Sequence, residues 1–207
     1  MRACEVVSAA NLDRVQELVS EGKVDVNYVS ERSSYRMTPL HQACLCGFVE
    51  AVEILLEHPD IDVNKGKFDG ETAFSIAFWK NQLKVIELMV RDPRVEVNTR
   101  RRDGATGAWF AARDGLDAAF FTVMASGRFV EDKDPDNPYS ISHVAIMNNR
   151  HLICDIMELY AQAPWLAVLQ AARHLGNLRR WSHCPTPFPV SRFPTSIFGF
   201  CFFLLFL

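Results

Sequence analysis

His41, Cys44 and Cys46 lie within the six residues HQACLC. An imidazole three residues before a thiol on a helix is close enough to take the thiol's proton and leave a nucleophile. The same three side chains offer the nitrogen and sulfur donors that zinc prefers. Neither chemistry is complete. A nucleophile needs a third group to orient the imidazole and donors that await an oxyanion, and the sequence names none. A tetrahedral metal needs further ligands, and no second pair stands at a spacing that would close the site. His58-Pro59-Asp60 reads as a solvated turn, and Gly47, Gly66, Gly70, Gly104, Gly107 and Gly115 are strung out rather than gathered into a phosphate-cradling loop. The expectation is a chain with no catalytic residue, no metal and no cofactor.

The stretch that holds the trio, MTPLHQAC, echoes at an offset of 34 residues. Thr38 is followed by Thr72, Thr106 and Ser140, and Ala43 by Ala77, Ala111 and Ala145. A hydroxyl at that place caps a helix, and Pro39 sits just inside it, where a missing N–H costs nothing. Nine residues past each cap stand Gly47, Asn81, Gly115 and Asn149, the residue types that most readily take the left-handed conformation ending a helix. A second helix follows, with Val49, Val52, Leu55 and Leu56, then Leu83, Ile86, Met89 and Val90 on one stripe. The third copy keeps Phe120, Val123 and Met124 but opens on Asp117, which makes it a weaker copy. The phrases VDVN, IDVN and VEVN read as short extended segments, two of them leading to the turns Asp69-Gly70 and Asp103-Gly104. No such unit buries its own apolar face, so the units must stack.

This pattern resembles the ankyrin repeat, whose hallmark T-P-L-H-x-A stands as Thr38-Pro39-Leu40-His41-Gln42-Ala43; Ser75 and Trp109 replace the histidine in later copies and His143 restores it. The resemblance implies an all-α solenoid of stacked helix-turn-helix units joined by β-hairpin-like turns. Its stack covers residues 1–163, as an N-terminal half-cap at 1–27 and units at 28–64, 65–98, 99–132 and 133–163. Residues 164–180 echo the first helix of a further unit, arriving seven residues early. The step from Asn27 to Asn64 is three residues longer than the next, which predicts a longer finger in YVSERSSYRM.

Composition narrows the function classes. At 49% apolar residues the chain builds a core, and disorder throughout is excluded. The net charge of −3 is unevenly spread: all 25 acidic residues but only 18 of the 22 lysines and arginines lie in residues 1–158, which carry −7 and leave +4 to the rest. An acidic body argues against nucleic acid as a partner. Six cysteines without paired spacing and an N-terminus without an apolar leader suit a reducing, intracellular home, cytoplasmic or nuclear.

Residues 181–207 form a Pro/Phe-rich apolar tail, with four prolines in ten residues and seven phenylalanines in the last twenty. The run from Ile197 to Leu207 has 11 residues, against the roughly 20 a membrane-crossing helix needs. Three readings stand: an interfacial anchor, translation into an intron or altered exon, and an apolar cap over the end of the stack.

Ankyrin-like stacks bind partners in the groove of turn tips and first helices. Carried over position by position, the candidate partner-binding residues are Tyr35, Met37, Leu45, Phe68, Trp79, Lys80, Arg101, Arg102, Arg113 and Tyr139. The implied activity is that of an adaptor that binds another protein or peptide and catalyses nothing. Should Arg100, Arg101, Arg102, Lys65, Lys67, Lys80 and Arg113 converge, the peptide would be acidic or phosphorylated. The alternative is a membrane-peripheral adaptor anchored by the tail.

Overall fold

The computed structural model describes residues 16–17, 25–29, 36–131 and 140–176. Its helices are α1 Pro39–Cys46, α2 Val49–Glu57, α3 Ala73–Trp79, α4 Leu83–Arg91, α5 Gly107–Asp114, α6 Asp117–Ala125, α7 Ile141–Met147, α8 His151–Gln162 and α9 Pro164–His174. The fold is an all-helical repeat. The first helices α1, α3, α5 and α7 pack one on the next, and α2, α4 and α6 form a second row behind them.

Three of the four first helices start as their caps predict, whereas Ser140 makes no side-chain cap hydrogen bond at the start of α7. Thr38, Thr72 and Thr106 accept the backbone N–H of His41, Ser75 and Trp109 at 3.3, 3.3 and 3.1 Å, a contact that stabilises a helix start by about 1 kcal/mol. The helices stop where the left-handed residues fall: Gly47 and Gly115 have φ of 74°, Asn81 54° and Asn149 55°. At Gly47 and Gly115 a β-carbon would also meet the flexible side-chain ends of Gln82 and Arg150 from the next repeat, which would have to shift aside. Ala43, Ala77, Ala111 and Ala145 are wholly buried between first helices, and Val52, Ile86 and Phe120 are wholly buried between second helices. The core is therefore continuous from Val26 to Ala172.

The described residues of the phrases expected to be extended hold no strand. Among the described residues the hairpin-like turns are represented by one isolated bridge, Gly66 to Thr72. The phrases instead anchor neighbours. Their valines Val26, Val63 and Val97 are buried, and the asparagine after each grips the next repeat at two points. The Asn27 side chain donates to Asp60 O at 2.7 Å and accepts from Asp62 N at 2.8 Å. Asn64 repeats this on Arg94 O and Glu96 N at 2.7 and 2.8 Å, and Asn98 on Arg128 O and Val130 N at 2.8 and 3.0 Å. These amides satisfy loop backbone that no sheet would satisfy.

Arginines close the same junctions from the other side. Arg94 donates to Leu56 O at 2.5 Å, at the end of α2. One repeat on, Arg128 donates to Val90 O near the end of α4 and to Val95 O in the loop after it, the latter at 2.8 Å, and Arg150 reaches Arg113 O at 3.1 Å in α5. A guanidinium suits these places, since helix ends expose unpaired carbonyls with partial negative charge. Arg94 is held in turn by Asp92 at 2.6 Å. Burial works to raise the Asp92 carboxyl, but hydrogen bonds from Arg94 hold it below the ordinary carboxylate range.

The helix placed on residues 164–180 runs Pro164–His174 among the described residues, and its position is its own. Joined to α8 through Ala163 alone, α9 doubles back and lies on α6 and α8, whereas a first helix in register would lie on α7. Ala167, Val168, Ala171 and Ala172, at helical spacing, make its buried face. The back of α6 is built to receive it: where earlier repeats turn Glu53 and Glu57 outward, α6 has Phe121 at 4% exposure and Ala125 at 5%. The Phe121 ring stacks on His174 at 5.1 Å. No described helix is long and apolar enough to cross a membrane. The long finger of residues 30–35 and the tail of 181–207 lie outside the described residues.

Candidate partner-binding face

The histidine and cysteines that open the chemical question are spent on structure. His41 is 1% exposed and completes a reciprocal cap: its Nδ1 accepts the Thr38 backbone N–H at 3.2 Å. That fixes the proton on Nε2, which donates to Glu71 O of the next repeat at 3.2 Å. Burial pushes its pKa down to about 4. The Cys44 thiol faces Met89 Sδ at 3.5 Å, and burial raises its pKa well above the usual thiol range, the opposite of what a nucleophile needs. Cys46 accepts from Gln42 at 3.3 Å. Among the described residues no group of three His, Cys, Asp or Glu is placed to hold a metal ion.

The repeat carries side chains into one aligned row instead. Leu45, Trp79, Arg113 and Met147 occupy the same place near the end of α1, α3, α5 and α7, at the 34-residue step. Trp79 is 49% exposed and Met147 69%, with Leu45 and Arg113 half-buried, although the residues just before Leu45, Trp79 and Arg113 are wholly buried. Lys80 lies over the Trp79 ring at 3.8 Å. Arg113 lies over Trp109 and Phe110 at 5.2 and 5.0 Å and pairs with Asp114 at 2.7 Å.

At the turn tips, Phe68 is 66% exposed, with the guanidinium of Arg102 from the following tip 4.6 Å from its centroid. Met37 is half-buried, and the residues at its register in the next repeats, Glu71 and Ala105, are buried. Tyr35 and Tyr139 lie outside the described residues.

The cations do not form one free cluster. Lys67 and Arg101 meet, but around the buried carboxylate of Glu71, at 2.5 and 3.5 Å. Arg101 also approaches Asp69 at 3.9 Å and Asp103 at 3.5 Å. Burial would raise the Asp69 carboxyl, yet the Glu71 backbone N–H, Lys67 and Arg101 hold it below its ordinary range. Lys65 is turned back onto Asn27 O at 3.1 Å. A buried carboxylate needs such partners, so these charges brace the tips first. Sequence reasoning missed this role of Glu71; a lone acidic residue at a register position held by Met37 and Ala105 was the signal.

A search of curated proteins finds no match to the chain. Residues 1–101 match the family model described as ankyrin repeats, in three copies. Ankyrin repeats are generally protein–protein interaction modules, and the family is typically non-catalytic. The helix pairs continue in the same register past the matched residues, through α8. Capped first helices, stacked rows and the family model over residues 1–101 together support an ankyrin repeat protein.

Proposed function

We propose that the chain is an adaptor that holds an extended segment of a partner protein across the row of Leu45, Trp79, Arg113 and Met147 and the tips at Phe68 and Arg102. The observation that carries this is Trp79: a large aromatic ring left 49% exposed in a helix whose other residues are buried. Exposed aromatics with a polar handle on a rigid surface are frequent anchors. The stack holds them in place before binding, so docking loses little conformational entropy.

The preferred partner segment pairs apolar anchors with acidic or phosphorylated side chains. Arg102 and Lys80 support that preference, since each lays its charge over an exposed ring where a carboxylate or phosphate could share it. Arg101 and Arg113 add less, being already paired with Glu71 and Asp114.

Binding of the full chain to an array of extended peptides tests the reading. Peptides with an aromatic or leucine anchor near acidic or phosphorylated residues are expected to bind, with Trp79→Ala weakening them about tenfold or more and Arg102→Ala weakening only the charged ones. Equal binding by wild type and Trp79→Ala, with the helices intact, would remove the proposal.

A further inference from the structure

Among the described residues the last repeat presents an uncovered face. In the first three repeats one register position of the first helix is sealed by the next first helix: Cys44, Phe78 and Ala112 are each 0% exposed. The fourth occupant, Ile146, is 65% exposed, because α9 lies on α6 and α8 and leaves α7 bare. Beside it stand Met147 at 69% and, across the turn into α8, Leu152 at 47%. Earlier repeats hold exposed Glu50, Lys84 and Ala118 at the place of Leu152, so only the last repeat puts a large apolar side chain at this corner.

The rest of that face is polar. Exposed Glu158 stands where Leu56, Val90 and Met124 are buried, and exposed His143 where His41 and Ser75 are buried. A full further repeat, or the end of a second copy imitating one, would bury the Glu158 carboxylate without a partner. The occupant must be short and apolar.

We propose that the occupant is the chain's own run from Ile197 to Leu207, seated on Ile146, Met147 and Leu152. The end of α9 lies by the first half of α6, where His174 stacks on Phe121. From there, about 20 residues reach up to roughly 70 Å before Ile197, far more than the distance needed. The run has no charged side chain to bury. A tethered segment of that length acts at an effective concentration on the order of millimolar, well above that of any second copy in dilute solution.

A photoreactive benzoylphenylalanine in place of Ile146 in the full chain tests this at low protein concentration. Adducts within one chain that join position 146 to residues 197–207 are expected. Adducts between copies, adducts elsewhere, or none overturn the proposal. Hydrogen exchange on the full chain adds a second measurement: Phe202→Asp with Phe203→Asp is expected to speed exchange of amides in residues 144–152 about tenfold while α1 to α4 hold theirs. Unchanged exchange in 144–152 overturns it as well.

Discussion

The backs of the repeats differ in a way that separates decay from design. Behind the first repeat, Glu50, Glu53 and Glu57 of α2 stand in water, and behind the second so do Lys84 and Arg91 of α4. Behind the third, α6 has Phe121, Thr122 and Ala125, all buried, and α9 lies over them. Against the hallmark, the third copy looks degraded. Against its neighbours, it is a helix with two interfaces, and its unusual residues record the second one. A repeat's departures from consensus therefore deserve to be read as contacts before they are read as erosion.

Substitutions on the two faces of α6 break this comparison most directly. Phe120→Ala, on the face that packs along the row, removes a wholly buried ring and is expected to destabilise the stack by about 4 kcal/mol in urea unfolding. A loss under about 1 kcal/mol would mean that the row does not depend on that face.

A pH titration compares the first repeat with the second. His41 is neutral in the fold, its pKa lowered to about 4, while the unfolded chain takes up a proton near 6.5. A lowered folded pKa means that the unfolded chain binds more protons as pH falls from 6.5 toward 4, so stability drops through that window, by about 3 kcal/mol. His41→Ser, which copies Ser75 of the second repeat, is expected to flatten the slope in unfolding curves at pH 7, 5.5 and 4.5. An undiminished slope would assign it to other groups.

Phe121→Glu restores on α6 the acidic residue that Glu53 and Glu87 supply elsewhere. It is expected to release α9 at a loss of about 2 kcal/mol, a figure capped because the rest of the stack survives the release. Faster amide exchange in residues 164–174 with α1 to α5 unchanged would show it. Slow exchange in α9 would show that Phe121 does not seat the helix. The smallest effect belongs to Asn64→Ala, which removes a two-point grip and is expected to lower stability by about 1 kcal/mol.

The first-helix row was legible in the sequence because each of its signals is local. A threonine cap, a proline inside it, a buried alanine and a left-handed Gly or Asn act within ten residues, and the 34-residue step repeats them. The seat of α9 was not legible, since Phe121 and Ala167 are more than forty residues apart and follow no period. The asparagines were visible in VDVN and its copies, but the phrase was read as a short extended segment, whereas the amide side chain was what mattered. Of the candidate groove, Phe68, Trp79, Lys80 and Arg102 stand exposed as their register implied. Arg101 and Arg113 carry internal charge pairs, because a cation cluster in sequence says nothing of the carboxylates that the fold brings to meet it.

The asparagines and arginines also give the stack a grammar. Asn27, Asn64 and Asn98 each reach toward the C-terminus, and Arg94 and Arg128 each reach back, so the same pair of contacts joins one unit's end to the next. Excising residues 65–98 whole would bring Asn64 to the loop that Asn98 now grips, and would set Arg128 against the carbonyl of Leu56. A chain built this way can lengthen or shorten by entire units while its joints stay the same.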